Sequence, residues 1–417
     1  LGAMPDFWTS TLQDRFHQAV KTLHSVTDKP CDEAAYRSQP SDEDGSQHKL
    51  RFRHELQIVD HIAYLAHSQQ GVESISAACV EEHTDGLVVR IASNHTPTKE
   101  TVTGLNRILN TIKQGVIDKR PRQILREQIF EDVLFLSKNR ILQRIQPPWV
   151  QMPSYFRGNG SGPLSDRLNA VLNKFEPPES QRPDFWHPLR GMVSRFRELD
   201  DVTDDAAVTK LLQTLSKQCA EISHHDKSGS LECQIKAIPT ISSLASAREI
   251  AEIDKISRYY SLCDDLSRIA LSPRYRALLK DLRLEVLTAY PAIRPRCASK
   301  DCFVHAEVQV ILYYEQHPPN YPPPRAIGGS KSACFLCDLL IQKVGKYRIS
   351  YTHRRLYPQW TIPASLWMSD EQRATFSNIV EAMIVDIESL TEKARAERPI
   401  RRHQLSDRYL ADYDEYH

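Results

Sequence analysis

The sequence predicts a mixed, helix-rich α/β protein. Three observations lead there: an alternating apolar pattern that reads as one β-hairpin between residues 72 and 94, a series of helical segments cut by prolines from 117 to 300, and alternating helix and strand signals after 301. With 41% hydrophobic and 26% charged residues, the composition is that of a globular chain able to bury one large core or several ordinary ones. A formal charge of +1 excludes a global electrostatic field, so any basic surface is local. Nine cysteines scattered without framework spacing point to free thiols in a reducing compartment. No apolar run approaches the ~20 residues of a membrane span and no leader-like segment opens the chain, which gives the expectation of an intracellular protein of cytoplasm or nucleus, with no membrane partner.

In order along the chain, residues 1–70 form an N-terminal helical segment, with helical faces over Phe7–Leu23 and Leu50–Ala66 and a polar loop over Ser38–Gln47 between them. Residues 71–116 change period. Val72–Val80 and Leu87–Ala92 are β-prone, Thr84-Asp85-Gly86 is a turn signal, and Val102–Val116 returns to helix. Residues 117–300 read as an intervening helical region, with segments at Ile124–Ile145, Leu164–Phe175, Ala206–Ile222, Leu244–Leu271 and Arg274–Leu287 and a flexible loop at Gly158–Gly162. In 301–366, Val304, Val308, Ile311 and Leu312 make one helical face and Leu336, Leu340 and Val344 a second. Ala326–Gly328 reads as a short buried strand, and Tyr347, Ile349 and Tyr351, alternating with Arg348, Ser350 and Thr352, as another. This alternation predicts a partly parallel sheet. Residues 367–417 open with a capping box, Ser369 to Gln372, then a helix with Phe376, Ile379, Val380, Met383 and Ile387 inward; the tail from Arg398 is charged and aromatic.

The chemistry-bearing pattern is His305-Ala306-Glu307 followed by Cys334-Phe335-Leu336-Cys337. One imidazole and two thiolates are zinc-type ligands that leave a fourth position open for water. Glu307 is not needed as a ligand and is free to move protons. Cys334 precedes a predicted helix, whose N-terminus favours a thiolate. Because residues two apart diverge around a regular helix, His305 and Glu307 share a site most easily in its first turn. Three other accounts compete. Cys302 could complete a four-ligand structural knuckle, Cys334 and Cys337 could be a redox pair, or the match could be chance among 16 histidines and nine cysteines.

At these residues the chain resembles the cytidine deaminase superfamily. More narrowly, through Ile327-Gly328-Gly329-Ser330-Lys331, Thr352-His353 and Tyr357-Pro358-Gln359-Trp360, it resembles the OTT-type deaminase-like proteins, a branch with many fungal members. The resemblance covers 301–363, and Ala333 stands where many deaminases have a proline before the first cysteine. It implies a three-layer α/β/α core with a large helical insertion, His305, Cys334 and Cys337 as zinc ligands, and Glu307 as proton shuttle. Asn94, at the end of the second strand, corresponds in position to an asparagine that contacts ribose in that superfamily; its plain alternative is a strand-end turn residue.

For the substrate, Arg325, Lys331, Lys343, Lys346, Arg348, Arg354 and Arg355 face a single acid, Asp338, between 325 and 355. Such an excess attracts phosphate, and Tyr313, Tyr314, Tyr351, Tyr357 and Trp360 offer stacking planes. Lys331, His353 and Trp360 are therefore expected at the substrate beside Asn94. The plain alternative is solvated charge and core aromatics. The expected function is zinc-dependent hydrolytic deamination of cytosine or adenine in a nucleotide or single-stranded nucleic acid. The alternatives are a free nucleoside or small heterocycle as substrate, and a non-catalytic interaction protein with a structural zinc.

Overall fold

The computed structural model describes residues 7–35, 47–151, 162–224, 229–296, 298, 300–364 and 367–396. Most of the polar loop expected at Ser38–Gln47, most of that at Gly158–Gly162, and the whole tail from Arg398 lie outside them. Two compact units emerge, one of residues 7–67, 71–109 and 272–396, the other of 68–70 and 110–271.

In chain order the elements are α1 (Ser10–Val26), β1 (Ala34–Ala35), α2 (Phe52–Ala66), β2 (Ser76–Glu82), β3 (Leu87–Ser93) and α3 (Lys99–Ile117). The helices α4 (Arg122–Ile145), α5 (Leu164–Lys174), α6 (Trp186–Arg197), α7 (Asp205–Ser223), α8 (Leu231–Lys236) and α9 (Arg248–Ala270) follow. Then come α10 (Arg276–Leu279), β4 (Leu282–Val286), α11 (Ala306–Gln316), β5 (Gly328–Gly329), α12 (Phe335–Val344), β6 (Tyr351–Thr352) and α13 (Asp370–Ala396). No helix among the described residues is long and apolar enough to cross a membrane.

The expected hairpin is β2–β3, antiparallel with Ser76 opposite Ser93 and Glu82 opposite Leu87. Every residue of both strands is buried, which requires cover on two faces. Ala77, Cys79 and Ala92 point into a core shared with α1, α11, α12 and α13. The alternate face meets α2, which packs on β2 and β5. This approach is backbone to backbone: a Cβ on Gly328 would lie 2.2 Å from the carbonyl carbon of Val59, so only glycine fits. The result is a small mixed sheet, in the order β4-β3-β2-β5, between helical layers, as expected for α/β.

Two sequence expectations need correction. Arg274–Leu287 is not one helix, because α10 stops at Leu279 and Leu282–Val286 pairs in parallel with β3 as an edge strand. Leu278, Leu279 and Leu282 mimic helical spacing, but Leu282, Leu284 and Val286 alternate with Arg283 and Glu285, and β3 supplies an open edge. The strand at 347–351 shrinks to Tyr351–Thr352, paired with β1. Tyr347 and Ile349 are buried, but the phase flips at Tyr351, which is 61% exposed while Thr352 turns inward. The capping box stands: Ser369 Oγ accepts from Gln372 N at 3.2 Å and Gln372 Oε1 from Ser369 N at 2.9 Å.

The helical unit is held by apolar faces of α4, α7 and α9 and by buried carboxylates. Glu252 joins Arg144 at 2.9 Å, Glu249 joins Arg167 at 2.8 Å, and Asp254 accepts from the first two amides of α8 at 2.8 and 3.0 Å. Residues 244–271 are not one helix either; Ser242–Ser246 form a 3₁₀ turn and α9 starts at Arg248.

Beside the sheet, at the far end of α11, lies a buried polar network. Glu81 accepts from Arg90 Nε at 2.7 Å, from the hydroxyls of Tyr314 and Tyr321, and from His83 Nε2 at 3.0 Å. Burial pushes the Glu81 carboxyl up, but Arg90 and these donors outweigh it and hold it at about 2, against an ordinary value of 4.5. A folded-state value below the unfolded one means the unfolded chain binds the extra proton. The stabilisation is therefore complete above pH 4.5 and is lost as pH falls towards 2. We expect Glu81→Gln to cost roughly 3 kcal/mol near neutrality by breaking a buried pair, and to flatten the loss of stability below pH 4.5. Urea denaturation at stepped pH checks this; a variant as acid-sensitive as the wild type would refute it.

Candidate metal centre

Three short pieces of backbone meet at the open end of the β2–β3 hairpin. The first is the start of α11, with His305 as its extended N-cap residue (φ −65°, ψ 154°) and Glu307 in its first turn, where their spacing requires them. Asn94, just beyond β3, accepts from Ala306 N at 3.1 Å through Oδ1 and donates from Nδ2 to Val72 O at 2.9 Å. Gln309 adds bonds from Nε2 to Ser93 O and Val304 O, both 2.9 Å. These bonds fix the helix entry against the strand end.

The second piece is the turn into α12. Ser330 exchanges two 2.9 Å bonds with the backbone of Ser76, which aims residues 331–334 at α11. Cys334 is the N-cap of α12, and its Sγ accepts from Cys337 N at 3.4 Å. The third piece is 351–355. Ala333 N donates to Tyr351 O at 3.0 Å, His353 N to Ala333 O at 3.1 Å, and Phe335 N to Arg355 O at 2.9 Å. Arg354 takes a left-handed conformation (φ 56°) and places Nε 2.9 Å from the buried Asp338 carboxylate. That ion pair ties the third piece to the first turn of α12.

The outcome is a compact cluster. His305 Nδ1 lies 3.6 Å from Cys334 Sγ and 3.5 Å from Cys337 Sγ, and all three donor atoms lie within 4.8 Å of one another. With Zn–S of about 2.3 Å and Zn–N of about 2.0–2.1 Å, two ligands of a tetrahedral zinc sit about 3.5 Å apart. Donor types and spacing therefore fit such an ion. Among the described residues Cys302 is not part of the group; it is buried in a bridge with Ile293. Glu307 is buried with Oε2 3.5 Å from Cys337 Sγ.

The protein's own charges fit the same picture. Burial opposes ionisation of Cys334, yet the hydrogen bond from Cys337 and the His305 imidazole hold its thiol well below the ordinary range. Cys337 is pushed well up, first by burial and then by Cys334. Burial also raises the Glu307 carboxyl, and it lowers His353.

The residues expected at the substrate do not all face it. Trp360 is wholly buried, and its indole Nε1 donates to Cys337 Sγ at 3.3 Å. It stands behind the ligands and offers no stacking plane. Asn94 uses both ends of its amide inside the protein, as a strand-end cap. Lys331 is half-buried in the loop before Cys334, and half-buried His353 accepts from Arg355 N at 3.0 Å. Of the aromatic residues, Tyr314 is buried and Tyr313 lies under Arg90, whose guanidinium carbon is 4.0 Å from the ring centre. Tyr351 is exposed, and the Tyr357 ring lies 6.3 Å from that of His305.

The basic excess is also largely internal. Arg325 pairs with Glu55 at 2.7 Å, Lys343 with Asp386 at 2.7 Å, Lys346 with Glu315, and Arg354 with Asp338. The Arg354–Asp338 tie and the Trp360 donor escaped the sequence reading. The lone acid within a basic stretch and the apolar company of Trp360 were the available signals.

If three side chains hold the ion, Cys302→Ser will leave zinc stoichiometry unchanged, whereas Cys334→Ser will abolish tight binding. Metal analysis of the purified variants decides this, and zinc loss in Cys302→Ser would mean that a fourth ligand closes the site.

Comparison with known proteins agrees with the geometry. No curated protein and no solved structure matches the chain. Residues 304–364, which carry His305, Glu307, Cys334, Cys337 and Trp360, match the model of the OTT_1508-like deaminase family. The family matched by this segment is a deaminase family of the cytidine deaminase superfamily.

Proposed function

We propose that the protein is a zinc-dependent hydrolytic deaminase of a nucleobase, cytosine or adenine, presented in a nucleotide or single-stranded nucleic acid. One observation carries this reading: a buried carboxylate, Glu307, lies 3.5 Å from a sulfur of a three-donor cluster in which it is not a member, within a deaminase segment. A zinc held by His305, Cys334 and Cys337 supplies a Lewis acid that brings the pKa of water towards neutrality. Glu307 accepts one proton of the attacking water and delivers it to the ring nitrogen, then takes the remaining hydroxyl proton of the adduct and passes it to the departing amine. Water adds at the amine-bearing carbon, the C–N bond breaks, and ammonia leaves with a carbonyl in its place. Rigid positioning of Glu307 in the first turn of α11 serves this shuttle, because the carboxylate must reach two sites in succession.

The half-buried Lys331 and His353, with the exposed Tyr351, support a phosphate-bearing ligand with its base near the cluster. A free nucleoside is the second reading, favoured by the four ion pairs that neutralise most of the local basic residues.

Glu307→Gln separates catalysis from structure. We expect turnover to fall by about 10²–10⁴ while zinc content and thermal stability stay near wild type. The assay is incubation with single-stranded and duplex DNA, RNA, nucleotides and nucleosides, read by mass for exchange of an amine for a carbonyl. Unchanged turnover in the variant, or no deamination of any substrate by zinc-loaded wild type, would sink the proposal.

A further inference from the structure

Each sulfur of the cluster receives an N–H donor, and the two donors come from different places. Cys334 Sγ accepts from the backbone amide of Cys337 at 3.4 Å, and Cys337 Sγ accepts from the Trp360 indole at 3.3 Å. An indole N–H can only donate, and once buried it needs an acceptor. Trp360 is 0% exposed, and the sulfur fills that need.

We propose that Trp360 is a positioning residue of the metal centre: its indole N–H fixes the Cys337 sulfur in its ligating orientation and draws charge from it. This inference rests on the metal-binding reading above.

The backbone shows how the donor is aimed. Phe303 N donates to Gln359 O at 2.6 Å and Thr361 N to Phe303 O at 3.1 Å, a parallel bridge that registers Trp360 against Phe303. Phe303 lies two residues before His305 on the same extended stretch. One short ladder thus carries the imidazole ligand on one side and the donor to a thiolate ligand on the other. The Phe16 ring packs 5.7 Å from the Trp360 ring and holds it from behind.

A donor is needed at this sulfur in particular. Cys337 Sγ sits 3.5 Å from Glu307 Oε2, so as a thiolate it faces a second negative group at short range in a buried setting. An N–H aimed at the sulfur offsets that repulsion and fixes the direction of its lone pairs. Cys334 has the helix N-terminus for this purpose.

The test uses the whole chain and two metals. Trp360→Phe keeps the aromatic volume and deletes the N–H, whereas Phe16→Leu loosens the same packing without touching a ligand. Zinc affinity is read by chelator competition, and the cobalt-loaded protein is read by its thiolate-to-metal charge-transfer band. We expect Trp360→Phe to bind zinc about 10–100-fold more weakly, with the band at longer wavelength because the undonated sulfur holds its lone pair higher in energy. Phe16→Leu should lower Tm and leave affinity and band unchanged. In cadmium-loaded wild type, NMR should detect coupling between the Trp360 indole proton and the metal through the sulfur, a readout that needs no variant to fold. Wild-type affinity and spectrum in Trp360→Phe would overturn the inference. So would losses that follow Tm equally in both variants, or absence of the coupling. A wild-type chain that binds none of these metals would remove the metal reading itself, and this inference with it.

Discussion

The structure depends on how one end of the β2–β3 hairpin is bonded. Ser76 and Ser93 face each other there, with their hydroxyls 2.7 Å apart. From Ser76, two bonds to Ser330 direct the loop that ends in Cys334; from Ser93 and Asn94, bonds to Gln309 and Ala306 seat the helix behind His305. Some two hundred residues of chain separate this hairpin from the segments it holds. A nitrogen and two sulfurs can approach to about 3.5 Å only if both segments are fixed by a common frame, and three residues at the hairpin end, Ser76, Ser93 and Asn94, provide it. The ligands come from local sequence, but their convergence is a long-range property of the sheet.

Both ligand-bearing segments begin helices. At a helix start several amides lack intrahelical acceptors and the helix dipole presents its positive end, so anionic sulfur is favoured there without a neighbouring lysine or arginine. The guanidinium of Arg354, close in sequence to His353, is engaged by Asp338. The polar contacts to the two sulfurs include a backbone amide, one imidazole and an indole. The protein's own groups favour the ionised form at Cys334, whereas burial and Cys334 push the Cys337 thiol well up.

Period and spacing made much of this readable in advance. The β-prone runs of the hairpin flank a turn signal at Thr84-Asp85-Gly86, and the capping box at Ser369 names its own helix start. The spacing of His305, Glu307, Cys334 and Cys337 states a donor set whatever the fold around it. Other features depend on partners far away in sequence. The strand at Leu282–Val286 is only five residues long and follows leucines at helical spacing, so its identity comes from the unfilled edge of β3. The inversion at Tyr351 follows from its bond with Ala333 and its pairing with Ala35, which no local alternation encodes. Arg325 adds to a local basic excess in the sequence, but in the fold it pairs with Glu55, 270 positions away. Trp360 illustrates the same limit: an aromatic residue near a motif suggests a substrate contact, and only packing shows that its polar edge meets a ligand sulfur.

The far end of α11 explains why the near end can stay so well defined. Tyr314, in the last turns of the helix, bonds to Glu81 on β2 and approaches Cys79 Sγ at 3.1 Å, while Tyr313 stacks beneath Arg90 of β3. The first turn is held through Asn94 and Gln309. A helix of eleven residues is thus fastened to the same two strands at both termini. It cannot slide along the sheet without breaking buried polar bonds at one end or the other, and each such break leaves a group without a partner at a cost of about 1–3 kcal/mol. Motion of Glu307 is therefore confined to its own side-chain torsions. In the proposed deaminase that restriction serves proton transfer, because the carboxylate must swing between acceptor and donor while the atoms it serves remain fixed.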